Sequence, residues 1–196
     1  MNDLFRHAKE FAAAIRGHHY ETVGDGSVFF ARQKVLVRGV YGHRVNDGEW
    51  SYDPNLIPTE GENFILDSFV SSHSAIPLYL SLYAGAISPA ANWTAASYPG
   101  TASEITSGSE GYSESVRQTW TAAAAAAATK DNYSNPGVFT IVTASNLNIN
   151  GAALHTVSTK GGTTGALISA TRFGTQRVFA NTDVFNVKYQ LVATST

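Results

Sequence analysis

The feature that most constrains this chain is a series of short apolar runs, punctuated by turn residues, through its second half. Leu78–Tyr83, Ser115–Thr121, Val138–Thr143, Leu147–Val157, Gly165–Phe173 and Asp183–Val192 carry β-branched and aromatic residues. Asn135-Pro136-Gly137, Lys160-Gly161-Gly162 and Gly174-Thr175 stand between them. Runs this short suit strands better than helices, and frequent turns favour antiparallel neighbours. The expected fold is mainly β, an antiparallel β-sandwich of jelly-roll-like character. Within it Leu78–Tyr83, apolar at almost every position, reads as a strand buried on both faces.

Charge divides the chain unevenly. Residues 1–75 hold 17 charged side chains and residues 76–196 hold 11, while Ser and Thr make up 30 of the last 121 positions. The two parts therefore face different surroundings, and the predicted organisation is an N-terminal arm over 1–57 and a sandwich body over 58–196. In the arm, Leu4, Phe5, Ala8, Phe11, Ala12 and Ile15 recur at helical spacing, with Asn2 or Asp3 as N-cap and Gly17 as stop. They predict an amphipathic helix over 2–17, about four turns long. Gly24-Asp25-Gly26 predicts a linker, and Asn46-Asp47-Gly48 the turn of a hairpin over about 34–53, ended by Pro54 and Pro58. Thr59 and Glu62 have capping-box spacing ahead of Phe64, Ile65, Phe69 and Val70, which predicts a short helix near 60–71. The Ala122–Ala128 run has high helix propensity but is too short to hold a helix alone, and a plain connection is an equal reading.

A chain of 196 residues holds one domain with an appended arm. The net charge of −2, with no basic run, argues against a nucleic-acid partner. Without cysteine there is neither a disulfide framework nor a thiolate metal site. No apolar stretch approaches a membrane span, and the N-terminus lacks a signal-peptide layout, so no membrane and no export are expected. The six histidines are scattered: His18 and His19 adjoin in the linker, and His7, His43, His73 and His155 fall in separate elements, so no metal or other cofactor is expected. No nucleophile elbow or phosphate loop occurs, and Gly161-Gly162-Thr163-Thr164-Gly165 reads as a hairpin turn. Glu110 and Glu114 are the one pair with glycosidase-like proximity, more simply solvated loop carboxylates. Trp93, Tyr98, Tyr112, Trp120 and Tyr133 lie in or beside polar loops; they read as a sugar-binding platform, as anchors for a protein partner or, for Trp93 and Trp120, as core residues closing the sandwich. No enzyme activity is expected.

Several segments resemble a family of small virion proteins of tailed bacteriophages, among them capsid cement and decoration proteins with β-sandwich bodies. A hairpin leads into Asn55-Leu56-Ile57-Pro58-Thr59-Glu60-Gly61-Glu62-Asn63-Phe64-Ile65-Leu66-Asp67, similar to that family's linker and "T-x-G-x-N-x-x-L-D" helix. Leu78 to Gly85 resembles its first core strand. Arg117-Gln118-Thr119-Trp120, Ile149 to Leu154, Ser158 to Leu167 and Asp183 to Tyr189 add to the resemblance. The helix over 2–17 and the alanine tract depart from the pattern. The resemblance implies a non-enzymatic virion component at the capsid surface, made in the bacterial host cytoplasm. Its implied partner is the major capsid protein, and self-association as a dimer or higher fits capsid symmetry. Phe5, Phe11 and Ile15 on the arm helix are the expected partner contacts, with Phe29 and Phe30 as secondary anchors. Packing of the helix on its own sandwich is the plainer alternative. A tail, baseplate or head–tail junction component is the nearest rival, and a carbohydrate-binding module a rival of another class.

Overall fold

The computed structural model describes residues 12, 16, 21–22, 28–29, 35–70 and 76–195. The chain divides into two compact units, Val37–Ala193 and a smaller one formed by Met1–Leu36 with Thr194–Thr196. In the smaller unit Ala12 and Arg16 are helical, and Arg16 Nε donates to the Ala12 carbonyl at 3.1 Å. Strands β1 (Glu21–Thr22) and β2 (Val28–Phe29) pair antiparallel, with Glu21 opposite Phe29. Phe5, Phe11, Ile15, Phe30 and the Gly24–Gly26 linker lie outside the described residues.

The larger unit is a β-sandwich of two antiparallel sheets. One has six strands: β4 (Ser51–Pro54), β3 (Val35–Val45), β12 (Val184–Ser195), β9 (Gly137–Val142) and β6 (Gly111–Tyr112) in that order, with β8 (Thr129–Asp131) also on β12. The other has four: β11 (Leu167–Phe179), β10 (Leu147–His155), β5 (Tyr79–Tyr83) and β7 (Gln118–Thr119). Alternation along each strand sends every second side chain inward. Tyr41, Phe139, Ile141, Phe185, Val187 and Tyr189 meet Leu80, Leu82, Ile149, Leu154 and Ile168 in one buried core. Strand β5 is covered on both sides, as its apolar run predicts: Tyr83 belongs to a second cluster with Trp93, Tyr98 and Leu167, outside the main core. Residues 84–105, with the short helix α2 (Tyr98–Thr101), supply that covering layer. Gly151 makes the close packing possible, because a Cβ there would lie 2.2 Å from both the Tyr83 ring and the Thr171 carbonyl.

Helix α1 (Thr59–Val70) matches its predicted span and packs Phe64 against the core. Pro58 rather than Thr59 takes the cap position, since its carbonyl accepts from Glu62 N at 3.0 Å. The first-turn carboxylate put to use is Glu60, whose Oε2 accepts from Ala95 N and Leu167 N, both at 2.7 Å. It ties the covering layer to the start of β11.

Two segments differ from their sequence reading, and a third, open between helix and connection, proves to be a connection. The hairpin over 34–53 is present as β3 and β4, but it is built into the six-stranded sheet with Tyr41 in the core, so the compact body begins at Val37 and not at 58. Gly174-Thr175 does not end a strand; it sits in a bulge of β11, where the register passes from Gly151 opposite Arg172 to Ile149 opposite Arg177. The alanine run is no helix. Ala126 and Thr129 exchange both backbone hydrogen bonds at 2.9 Å, and Ala127 and Ala128 have φ of 48° and 56°. This is a two-residue hairpin turn with left-handed backbone at both central positions, the pattern of type I′.

Candidate functional site

Two polar clusters lie inside the sandwich. Ser81 Oγ stands 2.8 Å from His155 Nε2 and 2.8 Å from the Tyr98 hydroxyl, the spacing a serine nucleophile and its base would need. Ser81, Tyr98 and His155 are almost wholly buried, however, and His155 Nδ1 has no partner that would orient the ring. Burial first, then the charge of Arg117, holds the His155 ring well below its ordinary pKa, so it is neutral. The trio is a hydrogen-bonded core bridge between β5, β10 and the covering layer, closed to substrate.

Glu104 and Arg117 form the second cluster, a fully buried bidentate ion pair with Nε–Oε1 at 2.7 Å and Nη2–Oε2 at 2.8 Å. The glycine-rich segment before β11 docks on it: Gly161 N donates to Glu104 Oε2 at 3.1 Å, and the Gly162 and Val157 carbonyls accept from the guanidinium. Gly161 has a φ of 69°, left-handed backbone that favours glycine there. The segment read as a hairpin turn is thus also the lid of a buried charge pair.

The candidate carboxylate pair is spent locally. Glu110 accepts from Thr143 Oγ1 at 2.7 Å and from Ala144 N at 3.0 Å, and these bonds lower its pKa. Glu114 accepts from Thr140 N. Both clamp the β9 segment, and a lowered pKa is the reverse of what a general acid requires. Among the described residues no three His, Cys, Asp or Glu side chains converge on a point. His43 instead donates to Asp53 at 2.9 Å while its ring lies 3.9 Å from that of Phe173. Among the described residues no helix is long and apolar enough to cross a membrane.

Of the loop aromatics, Trp93 at 4 % exposure, Trp120 at 7 %, Tyr98 and Tyr112 are core residues, which overturns their reading as a sugar platform. Trp120 is held by a hydrogen bond from Nε1 to the Tyr189 carbonyl at 3.2 Å. Tyr133 alone remains at the surface, where it joins residues that the sequence reading did not single out. On the outward face of the six-stranded sheet, Tyr52 is 51 % exposed, with its ring 6.5 Å from that of Tyr133. Lys188 Nζ lies 3.7 Å from the centre of the Trp50 ring and 5.1 Å from that of Tyr133, and Arg44 Cζ lies 4.9 Å from Trp50. Strand alternation is the signal that could have found them: Tyr41, His43 and Tyr189 point inward, so Arg44, Tyr52 and Lys188 must point outward.

An apolar cavity of about 250 Å³ lies beneath α1, lined by Phe64, Leu78, Trp120, Ile168, Tyr189 and Leu191 among others. It falls below the ~300–1,000 Å³ of ordinary ligand pockets. Of the expected partner contacts, Phe29 lies in β2, paired with Glu21, and the other four are outside the described residues. The chain matches no known protein family, and no curated protein matches its sequence.

Proposed function

We propose that this chain is a non-enzymatic structural subunit of a tailed-phage particle, a cement or decoration protein that binds and stabilises the shell of the major capsid protein. The observation that carries the reading is the division of the chain into a sandwich, whose Ser81–His155 and Glu104–Arg117 pairs are bonded in the interior, and a second compact unit. A sandwich so organised supplies rigidity. The apolar residues Phe5, Phe11, Ile15, Phe29 and Phe30 are the proposed anchors to a neighbouring subunit. The sealed Ser81–His155 pair and the locally bonded Glu110 and Glu114 favour a structural role over a hydrolytic one.

Quantitative mass spectrometry of purified particles, with the major capsid protein as internal standard, tests the reading. A copy number comparable to that of the shell subunit is the expected result. A far lower number moves the chain to a tail, baseplate or head–tail junction, and absence from the particle overturns the virion assignment.

A further inference from the structure

We infer that the outward face of the six-stranded sheet binds an acidic pyranose, a sugar ring bearing a carboxylate, which stacks on Tyr52 and places its charge against Lys188 and Arg44. The inference stands apart from the virion reading, because it rests only on the surface of the sandwich.

The floor of the site is Gly42. It pairs with Tyr52 across β3 and β4, and a Cβ built on it would come 2.8 Å from Tyr52 Cε1 and 3.6 Å from the Lys188 β-carbon. The absent side chain lets the Tyr52 ring settle on the sheet beside Lys188, with half of its surface open to solvent. Tyr133 borders the same patch, and its backbone is fixed by a hydrogen bond from its N–H to Asp131 Oδ1 at 2.9 Å. The result is one exposed tyrosine ring on a rigid sheet, flanked by the Tyr133 ring at a tilt of 47°, and such a ring suits the apolar face of a sugar with its hydroxyls turned to water.

Charge specifies the ligand further. Lys188 and Arg44 converge on the same indole, each attracted by the ring and repelled by the other. Among the described residues no carboxylate comes within 4.0 Å of Lys188, and the one beside Arg44 is the fully exposed Asp47, at 4.0 Å. Asp131 offsets part of the Lys188 charge from beyond ion-pair distance, but more weakly than Arg44 adds to it, so the two cations on one indole still favour an incoming anion. An acidic peptide would supply the anion, but β4 has only four residues and ends at Pro54, a poor edge for strand pairing. The exposed Tyr52 ring has no use in that mode, and it favours the sugar.

Isothermal titration of the full chain with oligogalacturonate, galactotriose and poly-glutamate tests the assignment. The expected result is binding of oligogalacturonate that weakens at least about tenfold in Tyr52→Ala and in Lys188→Gln, with galactotriose at least about tenfold weaker than the uronate. Both substituted side chains face outward, and an unchanged thermal midpoint shows that the variants are folded. Three results overturn the proposal: no heat with oligogalacturonate at millimolar concentration, galactotriose binding as tightly as the uronate, or poly-glutamate binding that matches the uronate and ignores Tyr52→Ala. The last would make the face an acidic-peptide site.

Discussion

Arg117 and Glu104 show how much a single residue pair can hold in place. Their guanidinium and carboxylate sit out of water, and each also bonds the Gly161–Gly162 segment. Removing one partner strands the other charge in the core, so Glu104→Leu should lower unfolding stability by about 3–5 kcal/mol in urea denaturation. The double change Glu104→Leu with Arg117→Met should cost clearly less, because no charge is left unpaired; a double variant as weak as the single one would contradict this account. The buried histidines make a second prediction. His43 is held below the ordinary value of 6.5 mainly by burial, and His155 by burial and then by Arg117. The unfolded chain therefore takes up protons that the folded chain refuses. The contribution of each ring is complete above about pH 6.5 and is lost as pH falls below it, at up to about 1.4 kcal/mol per pH unit for each. Urea midpoints measured between about pH 7.5 and about pH 5.5 should fall, and His155→Gln should flatten the slope. A slope unchanged by that substitution would assign the effect elsewhere.

Among the elements, those with strong patterns were legible in advance. Strand β5 and the strands β9, β10 and β12 carry apolar runs bounded by turn residues, and α1 carries a helical period; all appear close to their expected bounds, whereas β11 runs on past its expected end to Phe179. The alanine run was not legible as a turn, because alanine disfavours left-handed backbone and nothing in its composition marks where the chain reverses. The reversal is imposed by its neighbours: Ala123 N bonds the Asp131 carbonyl and Ala193 N bonds the Ala128 carbonyl. The strain this stores is removable. Ala127→Asn with Ala128→Gly, the residues a type I′ turn favours, should raise stability by about 1 kcal/mol, read as an increase in urea midpoint at constant slope. No increase would mean that the turn relaxes without cost. The bulge in β11 was misread for a related reason. Gly174-Thr175 looks like a terminator, yet the Asp53 carboxylate accepts from Gly174 N at 2.9 Å and the strand continues past it.

At the scale of the whole molecule, the sandwich class followed from strand count and turn spacing, whereas the surface chemistry did not. Trp50 and Tyr52 are distant in sequence from Tyr133 and from Lys188, and they become neighbours only when β3, β4, β12 and β8 lie side by side. Trp93 and Trp120, conspicuous in polar surroundings, were the wrong place to look for a surface, because their partners in the core are equally distant in sequence. The pairing of β3 with β12 has a further consequence. Gly39 lies against Gln190, Gly42 against Lys188, and Asn46 N bonds the Val184 carbonyl, so the two strands run antiparallel and the sandwich's first and last residues, Val37 and Ala193, sit at the same end of the pair. Tension applied through those two residues loads the ladder bonds one after another instead of all together, since in an antiparallel pair they lie across the strands. The body thus unzips, bond by bond, when its two ends are drawn apart.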